Sequence, residues 1–88
     1  MTAAIANARG GTSFDDAIVI VADNERTGVD AEYAYLRAHP CDGGAWKLSK
    51  QALVRNGGKP YDVLSVTCGG GAPKRDFYFD ISSFFGKS

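Results

Sequence analysis

The chain has little of what metal centres and most catalytic sites require. Its 88 residues include one histidine and two cysteines. A structural zinc site takes four protein ligands, usually in pairs with short spacing. His39, Cys41 and Asp42 lie near one another, but they supply neither the number nor the pairing of such a site. We predict no metal, no cofactor and no catalytic residue, and we interpret His39 as neutralising the C-terminal end of a helix.

The two cysteines are also fewer than a small disulfide-stabilised scaffold contains. They stand far apart in the sequence, at Cys41 and Cys68. We predict that both are free thiols and that the protein is cytoplasmic. A single bridge between them is the alternative.

Long apolar runs are absent. The longest, Ala17 to Ala22, has six residues, whereas a membrane-spanning helix needs about 20. The first residues show neither the basic start nor the apolar stretch of a secretory signal. We therefore expect no membrane partner. The small size and the abundance of alanine and glycine suggest a bacterial source.

The chain does contain enough material for one hydrophobic core, since 44% of its residues are hydrophobic and 11% are aromatic. A chain of this length forms one domain with a small margin of stability. Residues 1–13 are mostly small or polar and include Gly10 and Gly11, which indicates a flexible N-terminal tail. The predicted domain therefore spans residues 14–88.

Hydrophobic periodicity predicts one helix and four strands in the order β-α-β-β-β. A continuous apolar run such as Ala17 to Ala22 is typical of a strand that is covered on both sides. The two glycines after Asn56 predict a tight hairpin, and a change of apolar phase near Lys50 and Gln51 predicts a β-bulge. The predicted ranges are strand 17–22, helix 25–38 and strands 46–54, 61–68 and 75–81.

The ends of the helix are also marked in the sequence. Pro40 ends it, because the residue before a proline avoids the helical conformation. Two starts are compatible with the pattern at the other end. Thr27 opens the regular helix as part of a capping box, or Asp23 or Asn24 caps an earlier start.

The last strand anchors the predicted core, because Phe77, Phe79 and Ile81 alternate with polar residues and share one face. Phe84 and Phe85 are expected to fold back over an edge of the sheet. We predict an α+β fold in which one helix packs on a mostly antiparallel sheet. The predicted core consists of Ile18, Ile20, Val29, Tyr33, Leu36, Leu64, Val66, Phe77, Phe79 and Ile81.

A helix followed by three strands is similar in order to the double-stranded-RNA-binding domains. The basic second helix of that family has no counterpart after strand 75–81, and strand 17–22 is additional. The likeness is one of topology alone, and we assign no family.

Charge is unevenly distributed although the total is zero. The first 44 residues carry seven acidic and three basic side chains (net −4), and the last 44 carry three acidic and seven basic ones (net +4). Trp46, Lys47, Lys74 and Arg75 are predicted to converge at one end of the sheet. An aromatic ring among three cations suits the stacking and phosphate contacts of nucleic acid. It is equally what a solvated sheet end with one cation–π pair contains.

No segment concentrates the acid, base or nucleophilic groups that an enzyme of this size needs. We therefore predict a small non-enzymatic protein-interaction or regulatory module, with a protein partner and weak self-association. The first alternative is a nucleic-acid-binding module that uses Trp46, Lys47, Lys74 and Arg75. The second is a small-substrate enzyme without a recognisable motif.

Overall fold

The structure is a computed structural model that describes residues 4–5, 10–42, 44–69 and 74–87. Within these residues the chain forms one helix and five strands. They are β1 (Ala4–Ile5), β2 (Ile18–Val21), α1 (Glu25–Ala38), β3 (Lys47–Asn56), β4 (Lys59–Thr67) and β5 (Lys74–Asp80).

The five strands form one sheet in the order β1-β2-β5-β4-β3. Strand β2 runs parallel to β5, and the other three pairings are antiparallel. The four longer strands and the helix follow the predicted β-α-β-β-β order along the chain, so the predicted α+β class is confirmed. The two-residue strand β1 was not predicted.

Asn24 begins the helix, which decides between the two predicted starts. Its side-chain oxygen accepts a hydrogen bond from the Thr27 N–H at 3.0 Å, and its extended backbone is that of an N-cap. This bond satisfies one of the amide groups that the first turn of a helix leaves without an intrahelical partner. The helix ends at Ala38, two residues before Pro40, as predicted.

The predicted irregularities of the β3–β4 hairpin are also present. The strand register shifts between Leu48 and Lys50, which places the bulge one to two residues earlier than predicted. Gly57 and Gly58 form the turn with φ angles of 61° and 81°. Side chains other than glycine rarely adopt this left-handed conformation twice in succession, so the two glycines determine the turn.

The core lies between α1 and the face of the sheet that we call the helix face. Eight of the ten predicted core residues are buried, and the other two, Val29 and Tyr33, are partly buried and pack against the same cluster. The ring of Tyr35 packs edge-on against Phe77 and Phe79 of β5, with centroid distances of 6.1 and 5.8 Å. These contacts place the helix over the β2–β5 side of the sheet.

The segment after β5 contributes more to the core than predicted. Phe84 is 1% exposed, and Phe85 is partly buried against the core. The ring of Phe84 lies against Gly28 of the helix, where an added Cβ would come within 2.5 Å of three of its ring carbons. Glycine at this position therefore permits the close approach of helix and ring.

The prediction of two free thiols is wrong, because Cys41 and Cys68 form a disulfide with a Cα–Cα distance of 5.8 Å. The bridge joins the loop that follows α1 to the residue that follows β4. Residues 27 positions apart in sequence became neighbours because the helix and the hairpin fold back over one another. Counting cysteines did not reveal this proximity.

The opposite face of the sheet is covered in part by the segment before β2. The ring of Phe14 lies 5.0 Å from the rings of both Tyr61 and Tyr78, edge-on in each case. The Gly11 carbonyl accepts a hydrogen bond from the Tyr78 N–H at 2.9 Å. Seven of the 13 residues predicted to form a flexible tail lie outside the described residues, and the flexibility of the tail stays a prediction.

Candidate functional site: a groove between the helix and strand β3

The helix is too narrow to cover the whole helix face. Neighbouring strands lie about 4.8 Å apart, so β2 and β3 are separated by about 14 Å, whereas an α-helix with its side chains is about 10 Å wide. Because α1 lies toward β2 and β5, strand β3 is left uncovered. Leu48 and Leu53 of β3 are 44% and 53% exposed. A groove therefore runs between α1 and β3.

One end of the groove is an apolar cavity of about 260 Å³. Trp46 is held there by a hydrogen bond from its Nε1–H to the His39 carbonyl at 2.8 Å, and its ring packs edge-on against Phe77. We call this end the apolar cavity, and its lining residues are Tyr33, Leu36, Arg37, Pro40, Ala45, Trp46 and Leu48.

The other end is a cavity of about 240 Å³ that contains two carboxyl groups. The Tyr33 hydroxyl donates to Gln51 Oε1 at 3.1 Å, and this contact from helix to strand separates the two ends. We call the second end the carboxyl cavity, and its lining residues are Glu25, Val29, Gln51, Leu53, Asp62, Ile81, Phe84 and Phe85.

Behind the carboxyl cavity lies a buried glutamate. Glu32 of α1 has no exposed surface, and neither of its carboxyl oxygens accepts a hydrogen bond from the described residues. Burial, a hydrogen bond with the Asp62 side chain and the charge of that carboxyl group, in this order, together raise the pKa of Glu32 to about 10. Glu32 is therefore protonated at neutral pH and can donate its proton toward Asp62. Burial and the same two carboxyl groups also raise the pKa of Tyr33.

Asp80, another buried carboxyl group, differs from Glu32 because its oxygens have hydrogen-bond and ion-pair partners. It lies on the opposite face, where the N–H and hydroxyl of Ser82 donate to its Oδ1 at 3.0 and 2.6 Å. Lys59 Nζ lies 3.6 Å from Oδ2. Among the described residues, no such group donates a hydrogen bond to either carboxyl oxygen of Glu32.

The structure brings three of the four predicted binding residues together. Trp46, Lys74 and Arg75 line a cavity of about 410 Å³ at the end of the sheet, beside the disulfide loop. Lys47 is not among its lining residues, and the alternation of side chains along β3 places it on the opposite face from Trp46. The Arg75 guanidinium is already engaged: it lies 4.0 Å from the centroid of the Phe77 ring and donates to the Gly10 carbonyl at 2.7 Å.

The His39, Cys41 and Asp42 cluster is not assembled as a chemical site. The His39 ring stacks on Tyr35, and its Nδ1 lies 3.0 Å from the Tyr35 carbonyl oxygen. Cys41 is in the disulfide. Among the described residues, no group of three or more histidine, cysteine, aspartate or glutamate side chains is arranged to hold a metal ion.

Sequence reasoning missed Glu32 and Asp62, although a signal for each was present. Glu32 is three residues after Val29 and four before Leu36, which is the spacing of the buried stripe of a helix. Asp62 alternates with Leu64 and Val66 on the helix face of β4. An acidic residue in each of two apolar patterns indicates a buried pair once the two elements are known to pack together.

Comparison with known proteins gives no further assignment. No protein-family model, no curated protein and no solved structure matches the chain. No helix in the described part of the chain is long and apolar enough to cross a membrane. What the fold defines is a small α+β domain with one helix on a mostly antiparallel sheet.

Proposed function

We propose that this protein is a small non-enzymatic interaction module, and that the groove between α1 and β3 binds an amphipathic helix of a partner protein. One observation carries the proposal. The helix face of β3 is uncovered beside an apolar cavity, with Leu48 and Leu53 about half exposed. Contiguous apolar surface with a polar rim is typical of protein interaction sites.

The dimensions of the uncovered surface favour a helix as the occupant. Leu48 and Leu53 lie about 13 Å apart along β3, allowing for the bulge, which corresponds to about two turns of a helix. A second helix beside α1 would cover the remaining width of the sheet. Its apolar residues, spaced three and four apart, would meet Leu48 and Leu53 and fill the apolar cavity.

The charges at the two ends of the groove favour one orientation of the bound helix. Arg37 lines the apolar cavity, whereas Glu25 and Asp62 line the other end. A partner helix with an acidic residue near Arg37 and a basic residue near the two carboxyl groups complements both ends. Reversing it places like charges together, which costs binding free energy and selects one orientation.

Selection from a displayed library of 20-residue amphipathic helices tests the proposal. Peptides selected on the wild-type protein should bind Leu48→Asp and Leu53→Asp at least tenfold more weakly, because an ionised side chain then occupies the apolar surface. Val21→Asp is the matched control, since Val21 is 47% exposed and lies outside the groove. Equal weakening by all three variants, or by none, would refute the groove as the binding site.

Nucleic-acid binding is the second candidate, and one observation favours it: Trp46, Lys74 and Arg75 line one cavity. Phosphate contacts make affinity fall steeply with salt. Binding of mixed oligonucleotides that weakens between low and high salt, and is lost in Lys74→Glu, would support this candidate. Retention of binding in that variant would contradict it.

The proposed source and location need their own tests. A bacterial source stays a prediction. The cytoplasmic location was predicted from reduced cysteines, and the disulfide removes that support, because such bonds persist mainly in oxidising compartments. The number of free cysteines can be measured with a thiol-blocking reagent that is added at cell lysis. A cytoplasmic protein should have two free cysteines, and a protein from an oxidising compartment should have none.

A further inference from the structure

The carboxyl cavity has the components of a site for a positively charged group. Asp62 lines it and is 6% exposed, and Glu32 lies against Asp62 with no hydrogen bond to either oxygen from the described residues. The aromatic rings of Phe84 and Phe85 line the same cavity. Buried carboxylates beside aromatic rings suit ammonium and guanidinium groups, which bind both.

Several charged or titratable groups lie near Glu32. Asp62 faces it from β4, and Glu25 and Tyr33 lie on the same helix, with the Glu25 carboxylate accepting from the Gly86 N–H at 3.0 Å. Arg55 of β3 lies beside the cavity, and its guanidinium is 5.2 Å from the centroid of the Phe85 ring. Within the described residues, neither Arg55 nor any other cation forms an ion pair with Asp62 or Glu32.

We propose that the carboxyl cavity binds the ammonium or guanidinium group of a basic side chain on the partner helix, and that Glu32 releases its proton when the cation enters. This inference rests on the proposed function, because it assigns the residue that the partner places at this end of the groove. Without a bound cation, Glu32 is protonated beside the Asp62 carboxyl group. A bound cation stabilises the doubly ionised pair and displaces that proton.

The release of a proton has a measurable consequence. Because Glu32 holds its proton up to a pKa of about 10 when the cavity is empty, a cation that expels this proton binds more tightly as the pH rises. Release of one full proton strengthens binding by about tenfold per pH unit. A guanidinium group keeps its charge throughout this range, so the pH dependence reports the protein and not the ligand.

The probe is Nα-acetyl-arginine N-methylamide, which carries one positive charge, and its control is the citrulline analogue, which has nearly the same shape and no charge. Chemical-shift titration between pH 7.5 and 9.5 should show affinity for the arginine compound rising three- to tenfold per pH unit. The citrulline compound should not bind measurably. Equal binding of both compounds would overturn the proposal.

Variants of the pair assign the effect to its residues. Glu32→Gln should remove the pH dependence, and Asp62→Asn should weaken binding at pH 9 by at least tenfold. Arg55→Gln should strengthen binding two- to threefold, because it removes the competing cation at the rim. A pH dependence that persists in Glu32→Gln would overturn the proposal.

The two proposals fail separately. Val21→Asp, which lies outside the groove, should leave binding of the arginine compound unchanged. If helical peptides bind Leu48→Asp as tightly as they bind wild type while the arginine compound binds as expected, only the proposed function is refuted. Helical peptides that require Leu48 but bind Glu32→Gln with the pH dependence of wild type would refute only the cation site.

Discussion

Strands β5 and β3 belong to the same sheet and both place apolar residues on its helix face, yet they differ strongly in burial. Phe79 of β5 has no exposed surface, whereas Leu53 of β3 is 53% exposed on the same face. The difference arises because one helix covers only part of a sheet of this width. The β5 side is therefore organised for stability, and the β3 side keeps apolar surface available for a partner.

The largest expected effect is the loss of stability caused by a substitution in β5. Phe79→Ala should lower the free energy of unfolding by about 3–5 kcal/mol, since the ring is buried and leaves a cavity. This approaches the whole stability of so small a domain. Leu53→Ala is the matched control and should change it by less than about 0.5 kcal/mol. Urea unfolding measures both, and equal losses would contradict the division between the two strands.

The next effect concerns the disulfide beside the groove. Replacing both Cys41 and Cys68 by serine opens a loop closed across 27 positions, which in the chain-entropy account lowers stability by about 3.5 kcal/mol. The loop that it anchors leads into Trp46, so the apolar cavity should also lose its shape. Thermal unfolding with and without reductant measures the first effect. An unchanged melting temperature under reduction would show that the bridge carries no stability.

Most of the fold could be predicted from local sequence. The helix agrees with its prediction at both ends, because Asn24 and Pro40 mark those ends chemically. The hairpin agrees because Gly57 and Gly58 supply two positive φ angles. The disulfide and the burial of Phe84 were not readable in this way, since each depends on which distant elements pack together.

The candidate site was less predictable than the fold for the same reason. Trp46 was correctly placed at one end of the sheet, but the predicted interface emphasised cations. Arg75 is held by Phe77 and Gly10 instead of standing free. The groove arises from the ratio of sheet width to helix width, which no single segment encodes. The pairing of Glu32 with Asp62 required knowing which strand the helix crosses.

A smaller expected effect is the pH dependence of stability that the buried Glu32 causes. Glu32 has a pKa of about 10 in the folded protein against an ordinary value of 4.5, so its contribution to stability is full below pH 4.5 and declines as the pH rises toward 10. Between pH 7.5 and 9.5 the free energy of unfolding should fall by up to about 1.4 kcal/mol per pH unit. Glu32→Gln should remove this slope.

Denaturant unfolding at three pH values measures the slope in both proteins. Asp30→Asn is the control, because Asp30 is an exposed acid on the same helix. An equal slope in wild type and Glu32→Gln would show that Glu32 is not protonated in the folded state.

The smallest expected effect is weak self-association. The two edges of the sheet determine which surfaces of two copies can pair. Strand β1 at one edge has two residues, whereas β3 at the other has ten and carries Lys47, Lys50 and Arg55 without an acidic residue. Pairing two β3 edges brings together three cations from each copy, which like-charge repulsion opposes at low salt. Contact between the acidic first half of one copy and the basic second half of another is favoured there instead, since the net charge is zero.

Ionic strength distinguishes pairing through β3 from contact between the acidic and basic halves. Salt weakens the attraction between exposed opposite charges, and it also weakens the repulsion between like charges. We expect association at millimolar concentration that is stronger at low ionic strength than at high. Sedimentation at both ionic strengths measures it, and Lys50→Glu is the informative variant because it lowers the charge of the β3 edge. Association that grows with salt in wild type and appears at low salt in this variant would identify pairing through β3. A monomer under all these conditions would remove self-association as a property of the domain, and would leave β3 open for a different protein.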